Sequence, residues 1–296
     1  MLRATAIFSA PVHAPLQRFV LPAFEKAGVE VWLKRDDLIH PFVSGNKWRK
    51  LKYNLMEAEQ QGKSHLLTFG GAYSNHLVAV ACAGALCGFQ STGLVRGDAG
   101  THNYMLHICQ TFGMEIIFVS REAYRDKEVL AQQYAQAQSY VLPEGGTNLL
   151  AVKGCEEIAA EVNQSFNHVL LASGTGGTTA GVAKGFARHQ PNAHVHSIAV
   201  LKGADFLRKD IHTLAPALNN LTLHTEFHEG GYAKTTDRLI TLIKNTAAQT
   251  GILFDQVYTG KMLLAAHQLV ERGDIKTGEK LLLLHTGGTL GWLSQE

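Results

Sequence analysis

A lysine at the entry to a helix sits against the positive end of the helix dipole, at a cost of a few tenths of a kcal/mol to about 1 kcal/mol. This chain puts three basic residues at such a place, in Ser44-Gly45-Asn46-Lys47-Trp48-Arg49-Lys50. The same field eases the proton off an amine, and an amine that sheds its proton is what imine chemistry requires. The cluster also reads as a solvated basic helix face paired with Asp36 and Asp37, and position alone does not decide between the two. A second stretch, Ser173-Gly174-Thr175-Gly176-Gly177-Thr178, follows an apolar run and opens a helix. Unpaired amides at a helix start, with threonine hydroxyls beside them, suit a phosphate; a tight strand-to-helix turn would use the same residues. A third, Gly70-Gly71-Ala72-Tyr73-Ser74-Asn75-His76, offers the neutral donors Ser74 and Asn75 beside further amides. A carboxylate or a phenolate oxygen could be held there, or Ser74 could simply cap the helix that follows.

Several other chemistries fail on spacing. A dinucleotide fingerprint would need glycine where Thr179 stands, and no acidic residue lies near His194–Ser197. Gly62-Lys63-Ser64 ends like a Walker loop, but Glu57 occupies the position of its first glycine. The 15 histidines show no metal-ligand spacing, so no metal site is expected, and no G-x-S-x-G elbow is present.

The elements that must position these residues alternate short apolar strands with longer helices, the mark of a mostly parallel sheet in an α/β fold. Strands are expected near Val29–Arg35, His65–Phe69, Thr92–Val95, Glu115–Val119, Ser139–Leu142, His168–Ala172, His194–Val200 and Lys280–His285. The clearer helices are Trp48–Gln61, Asn75–Cys87, Lys127–Gln138, Leu149–Glu161, Thr178–His189, Thr235–Thr250 and Lys261–Glu271. Glycines gather at Gly70–Gly71, Gly145–Gly146, Gly174 to Gly177 and Gly287–Gly288, each just past a strand. Ligands of open α/β sheets bind beyond the carboxyl ends of strands, so these turns point to one shared site.

Composition narrows the partners. A chain of 296 residues with 46% apolar residues can bury a sizeable core, and a net charge of +2 with scattered basic residues gives no nucleic-acid footprint or membrane patch. No apolar run approaches the roughly 20 residues of a membrane span, and no signal-peptide pattern opens the sequence, so a cytoplasmic protein acting on a small molecule is expected. Cys82, Cys87, Cys109 and Cys155 form no CxxC pair and read as buried free thiols.

Taken together, Lys34-Arg35-Asp36-Asp37, Ser44-Gly45-Asn46-Lys47, Gly70-Gly71 with Ser74-Asn75-His76, and the Ser173–Thr178 loop resemble the 1-aminocyclopropane-1-carboxylate deaminase/D-cysteine desulfhydrase family of fold type II pyridoxal-phosphate enzymes. The likeness continues through Pro143-Glu144-Gly145-Gly146-Thr147-Asn148, Val257-Tyr258-Thr259-Gly260-Lys261 and His285-Thr286-Gly287-Gly288. It implies a larger lobe from residues 1–51 and 149–296, a smaller lobe from 52–148, and pyridoxal 5′-phosphate in the cleft between them. It implies that Lys47 carries the cofactor as a Schiff base, and that its phosphate rests on Gly174, Thr175, Gly176, Gly177 and Thr178. Asn75 would meet the phenolate oxygen and Thr286 the pyridine nitrogen. Ser74, Asn75, His76 and Tyr258 would face a small amino-acid substrate, with Lys47, Ser74 and Tyr258 catalytic. Thr259 and Thr286, both neutral where the family's cyclopropane deaminases typically carry Glu after the tyrosine, would favour β-elimination from D-cysteine over opening of the cyclopropane substrate. The resemblance also implies a homodimer. Glu144 and Tyr73 depart from the family's usual residues.

Overall fold

The computed structural model describes residues 3–294. Its strands are β1 (Leu16–Arg18), β2 (Glu30–Lys34), β3 (His65–Gly71), β4 (Gln90–Arg96), β5 (Met114–Val119), β6 (Ser139–Val141), β7 (His168–Ser173), β8 (His194–Ala199), β9 (Leu221–His224) and β10 (Lys280–Leu284). They form two sheets, one of six strands in the order β1-β2-β10-β7-β8-β9 and one of four in the order β5-β4-β3-β6. Every pairing is parallel except that of β1 with β2. A parallel sheet needs a crossover between neighbouring strands, and the helices that supply it cover both faces. The central strands are accordingly apolar along their length: Leu281–Leu284 of β10 and Leu66–Phe69 of β3 are buried throughout, Thr68 included.

All eight strands expected from the sequence are present, with ends shifted by a few residues. The two not foreseen, β1 and β9, are short edge strands of three and four residues. Neither buries more than one residue, so their apolar signal is weak. Helices Arg3–Phe8, Pro22–Ala27, Tyr104–Thr111 and Phe206–Leu214 were likewise not foreseen, and the helix expected over Lys127–Gln138 stops at Tyr134.

Three of the helices that bear on the site pack in closest contact. Asn46–Gln60 crosses Leu149–Ala160, which in turn crosses Gly177–His189, and both crossings are close enough to exclude side chains. A methyl group on Gly154 would lie 1.9 Å from the Arg49 carbonyl oxygen, and one on Gly181 would lie 2.5 Å from that of Val152. These contacts tie the helix bearing Lys47 to the helix that opens at Gly177. Helix Asn75–Cys87 is apolar on every side and is buried from His76 through Gly84. Leu77, Val78 and Val80 share one apolar cluster with Leu51 and Leu55 of the Lys47 helix and with Leu66 of β3.

Candidate active site

The glycine-rich turns line one cleft of about 1260 Å³. Its walls come from the strand ends of both sheets: Gly70 to His76 after β3, Arg96 to Asp98 after β4, Ser173 to Gly176 after β7, and Thr286 to Gly288 after β10. Of the residues singled out in the sequence, Lys47, Ser74, Asn75, His76, Gly174, Thr175, Gly176, Thr178, Tyr258 and Thr286 all line it. Gly177 and Thr259 do not.

Lys47 is the second residue of its helix. The backbone before it makes a turn that needs glycine, because Gly45 has φ 59° and any Cβ there would fall 1.9 Å from the Thr286 carbonyl oxygen. That approach sets Lys47 against the turn after β10. Burial lowers its amine to about 8, against a weak opposing pull from the Cys155 thiol. The ion-paired alternative describes Arg49, not Lys47. Arg49 donates to both oxygens of Asp36, at 3.1 Å and 3.0 Å, while Lys47 has no carboxylate partner among the described residues.

Lys50 was legible only as part of the basic cluster, yet it reaches the same cleft. Its ammonium donates to the Gly145 carbonyl at 2.6 Å and to Thr147 Oγ1 at 2.9 Å. Burial first, and the charge of Lys47 second, bring it down to about 7. Its Cε lies 3.4 Å from where Gly177 would carry a Cβ, which puts the amine beside the Ser173–Thr178 loop.

That loop leaves β7 and enters helix Gly177–His189 through Gly176, whose φ of 76° no other residue adopts easily. The first amides of a helix have no carbonyl acceptor within it and present a positive dipole end. Asn46 steadies the loop, its side-chain amide donating to Thr178 Oγ1 at 2.9 Å. Ser173 Oγ, at the loop's start, is buried with no hydrogen-bond partner.

Across the cleft, Ser74 caps helix Asn75–Cys87 by accepting from the amides of His76 at 3.2 Å and Leu77 at 3.4 Å. Accepting these bonds leaves its hydroxyl proton to donate into the cleft, so capping and binding do not compete here. His76 is buried; its Nε2 meets Thr68 Oγ1 at 2.9 Å and its Nδ1 has no partner. Burial, then the charges of Lys47 and Lys50, hold the ring's pKa well below the ordinary value, so it is neutral.

The two threonines following the Tyr258 and His285 positions separate. Thr259 is fully buried, and its hydroxyl donates to Asp255 Oδ1 at 2.7 Å and accepts from the Asp255 amide at 2.9 Å. It is spent on the turn that starts helix Thr259–Glu271 and does not reach the cleft. The Thr286 hydroxyl makes no hydrogen bond within the described residues and does line the cleft. Asp255 also accepts from the amides of Val257, Tyr258 and Thr259, so one buried carboxylate fixes the backbone under Tyr258. Burial raises the Tyr258 phenol well above its usual pKa, which keeps it a neutral donor. Its hydroxyl lies 3.4 Å from that of Tyr232, a residue the sequence reading passed over. The Gly230-Gly231 turn just before Tyr232 is the one local signal that could have flagged it. Glu144 accepts from the Tyr124 hydroxyl at 2.8 Å and pairs with Lys127 at 3.1 Å, so its charge is answered at the cleft wall.

Two mostly parallel sheets around a cleft holding an amine, an anion-binding helix start and a phenol define a fold type II enzyme of the pyridoxal-phosphate class. The chain belongs to that family: the model described as pyridoxal-phosphate dependent enzyme matches residues 11–287. It is 31% identical to the bifunctional D-cysteine desulfhydrase/1-aminocyclopropane-1-carboxylate deaminase of Arabidopsis thaliana, over 95% of this chain and 78% of that protein. It is 31% identical to a D-cysteine desulfhydrase of Yersinia pestis, over 88% of this chain and 87% of the relative. Among solved structures, an ACC deaminase homologue superposes with a TM-score of 0.76 at 26% identity, over 98% of this chain and 96% of the other. An O-ureido-L-serine synthase shares the fold at a TM-score of 0.73 and 16% identity, over 98% and 93% of the two chains. The cofactor is pyridoxal phosphate, and the residues present fit it. The cleft offers an amine without a carboxylate partner, an orphaned buried hydroxyl at Ser173 where a glycine-rich loop enters a helix, and an uncommitted hydroxyl at Thr286.

Proposed function

We propose that the protein converts D-cysteine and water to pyruvate, hydrosulfide and ammonia by β-elimination. The observation that carries this choice over opening of 1-aminocyclopropane-1-carboxylate is the uncommitted hydroxyl of Thr286 at the cleft floor. With Thr259 taken up by Asp255, Thr286 alone is left to meet the ring nitrogen. A hydroxyl does not hold that nitrogen protonated as a carboxylate would, so the electron sink is weaker. Thiolate is a good leaving group and tolerates the weaker sink; ring opening expels no heteroatom and does not.

In this reading, Lys47 holds the cofactor covalently, and the amides of Gly174, Thr175, Gly176, Gly177 and Thr178, with Lys50 beside them, hold its phosphate. Bound there, the cofactor supplies an electron sink for the substrate's α-carbon. Asn75 meets its phenolate oxygen. Ser74, by its hydroxyl proton and with the amide of Asn75, binds the substrate carboxylate at a helix start. Lys47, as a free amine, would take the α-proton at Nζ; burial lowers that amine to about 8, towards the neutral form a base requires. Tyr258, a neutral phenol, donates to the departing sulfur. The larger lobe comprises residues 1–51 and 149–296 and the smaller 52–148, a division supported by the two separate sheets. A homodimer in the cytoplasm completes the proposal on the strength of the resemblance; among the described residues no helix is long and apolar enough to cross a membrane.

The test is a product assay on holoenzyme offered D-cysteine, L-cysteine, D-serine and the cyclopropane substrate. Pyruvate with stoichiometric hydrosulfide from D-cysteine is expected, with its loss in Lys47→Ala. Release of 2-oxobutanoate from the cyclopropane substrate at a matching rate would reverse the assignment.

A further inference from the structure

Lys261 is fully buried, lies outside the cleft lining, and has no carboxylate within ion-pair distance among the described residues. Its ammonium donates instead to two backbone carbonyls, Gly231 at 2.7 Å and Val200 at 3.5 Å. Burial lowers it to about 8, against the opposing fields of Asp255 and Glu229. Burying an amine on carbonyl partners costs free energy that an apolar side chain of similar volume would not. What it holds is therefore the informative question.

It holds the loop of Tyr232. Lys261 stands three residues beyond Tyr258 on helix Thr259–Glu271, and Gly231 immediately precedes Tyr232. The loop is strained: Glu229 and Ala233 have φ of 50° and 54°, values that cost a non-glycine residue roughly 1 kcal/mol each. A loop in that state keeps its shape only if it is pinned. One pin is Glu229, buried and accepting from Thr236 Oγ1 and from both Nε and Nη2 of Arg238. The other is the Gly231 carbonyl, which accepts from the Lys234 amide at 3.1 Å and from Lys261. Immediately after the second pin Tyr232 projects, half exposed, with its ring at 6.1 Å and 74° to that of Tyr258.

We infer that Lys261 is a positioning residue: it ties the helix that presents Tyr258 to the loop that presents Tyr232, and so sets the phenol pair at the mouth of the cleft. The Tyr258 hydroxyl donates to that of Tyr232 in the open cleft; when it turns its one proton to the departing sulfur, the Tyr232 hydroxyl is placed to donate to the Tyr258 oxygen in its stead. This rests on the reading of Tyr258 as the group facing the substrate's leaving sulfur.

The test is a double-mutant cycle on the holoenzyme. Lys261→Met should lower kcat by about tenfold or more with little change in KM, and should change it less than about twofold when Tyr232 is already Phe. A second readout needs no turnover: amide exchange at Gly231 and Lys234 should quicken in Lys261→Met while that of helix Thr259–Glu271 stays slow. Should the Met variant not fold, Lys261→Gln keeps a donor but is one bond too short to reach the Gly231 carbonyl, and is read in the same way. Equal losses in both backgrounds, undiminished kcat, or unaltered exchange would each overturn the positioning role. A wild-type enzyme that releases no 2-oxo acid would instead refute the proposed reaction, and the exchange measurement would still decide the role of Lys261.

Discussion

At the scale of the residue, two lysines three positions apart have different work. Lys50, lowered to about 7 by burial and by Lys47, is largely uncharged above neutral pH in the absence of an anion. A phosphate dianion set beside it favours its charged form, so binding must take up a proton wherever Lys50 is otherwise neutral. Pyridoxine 5′-phosphate, which lacks the aldehyde and cannot join Lys47, isolates the effect. Its affinity should fall between about pH 7 and pH 9, and calorimetry in buffers of different ionisation heat should register proton uptake. Lys50→Met should bind it more weakly at pH 7 and with a flatter pH profile; an unchanged affinity and slope would remove Lys50 from the phosphate site. Ser74, Asn75 and the Gly174–Thr178 loop could be placed at one cleft from the sequence because glycines and short polar residues at strand-to-helix turns obey local rules, whereas Lys47 was singled out by the family resemblance, its position alone being equally that of an ion-paired helix face. Lys50, Asp255, Tyr232 and Lys261 could not be read from the sequence. Their partners lie 26 to 97 positions away, apart from the Asp255 turn, whose carboxylate gives no local sign that it is buried. Thr259 shows the same limit from the other side, since its place in the sequence said nothing about which way its hydroxyl turns.

At the scale of the element, the site depends on how closely three helices pack. Substituting alanine for glycine inside a helix ordinarily favours the helix by up to about 1 kcal/mol. At Gly154 the added methyl would sit 1.9 Å from the Arg49 carbonyl, a backbone atom that yields only if helix Asn46–Gln60 moves. Overpacking of that kind costs roughly 1–3 kcal/mol or more, so the net sign is destabilising. Gly154→Ala should therefore melt several degrees lower and retain less cofactor, because the displaced helix carries Lys47. Gly100, which has nothing within 4 Å of a built Cβ, is the control, and its alanine variant should melt within a degree or two of wild type. A Gly154→Ala protein as stable as the control would show that the crossing tolerates separation. Strands β3, β7 and β10 were legible because parallel strands buried on both faces read as apolar runs, and β5, at an edge of the four-stranded sheet, because Met114–Val119 is apolar at five of its six positions. Edge strands β1 and β9 and the helix Phe206–Leu214 were not, since each buries only part of its surface.

At the scale of the whole molecule, the histidines that gave no metal spacing impose a pH limit. His168, His196 and His224 form a chain across β7, β8 and β9, with ring nitrogens 3.0 Å apart at both links and Glu279 and Glu226 at the ends. His196, in the middle, is lowered to about 3 by burial and then by His194, His224 and His168. His267 is lowered to about 4 by burial alone; it stacks on Phe24 with ring centroids 4.4 Å apart and has an orphaned Nε2. Both are neutral when folded, whereas the unfolded chain protonates them below about 6.5. As pH falls from there towards 4 the unfolded state binds the extra protons, and stability is lost at up to about 1.4 kcal/mol per pH unit for each group. The ion-paired carboxylates whose pKa is held down, such as Glu161, add their losses only below about 4.5, so the window from pH 6.5 to 5 isolates the histidines. His267→Phe removes one of them without disturbing the histidine chain, and phenylalanine can keep the stack on Phe24. The variant should match or slightly exceed the wild type in melting temperature at pH 7, and gain on it steadily towards pH 5. Parallel melting curves for the two proteins across that window would show that His267 is protonated in the folded state, and that burial does not hold it neutral.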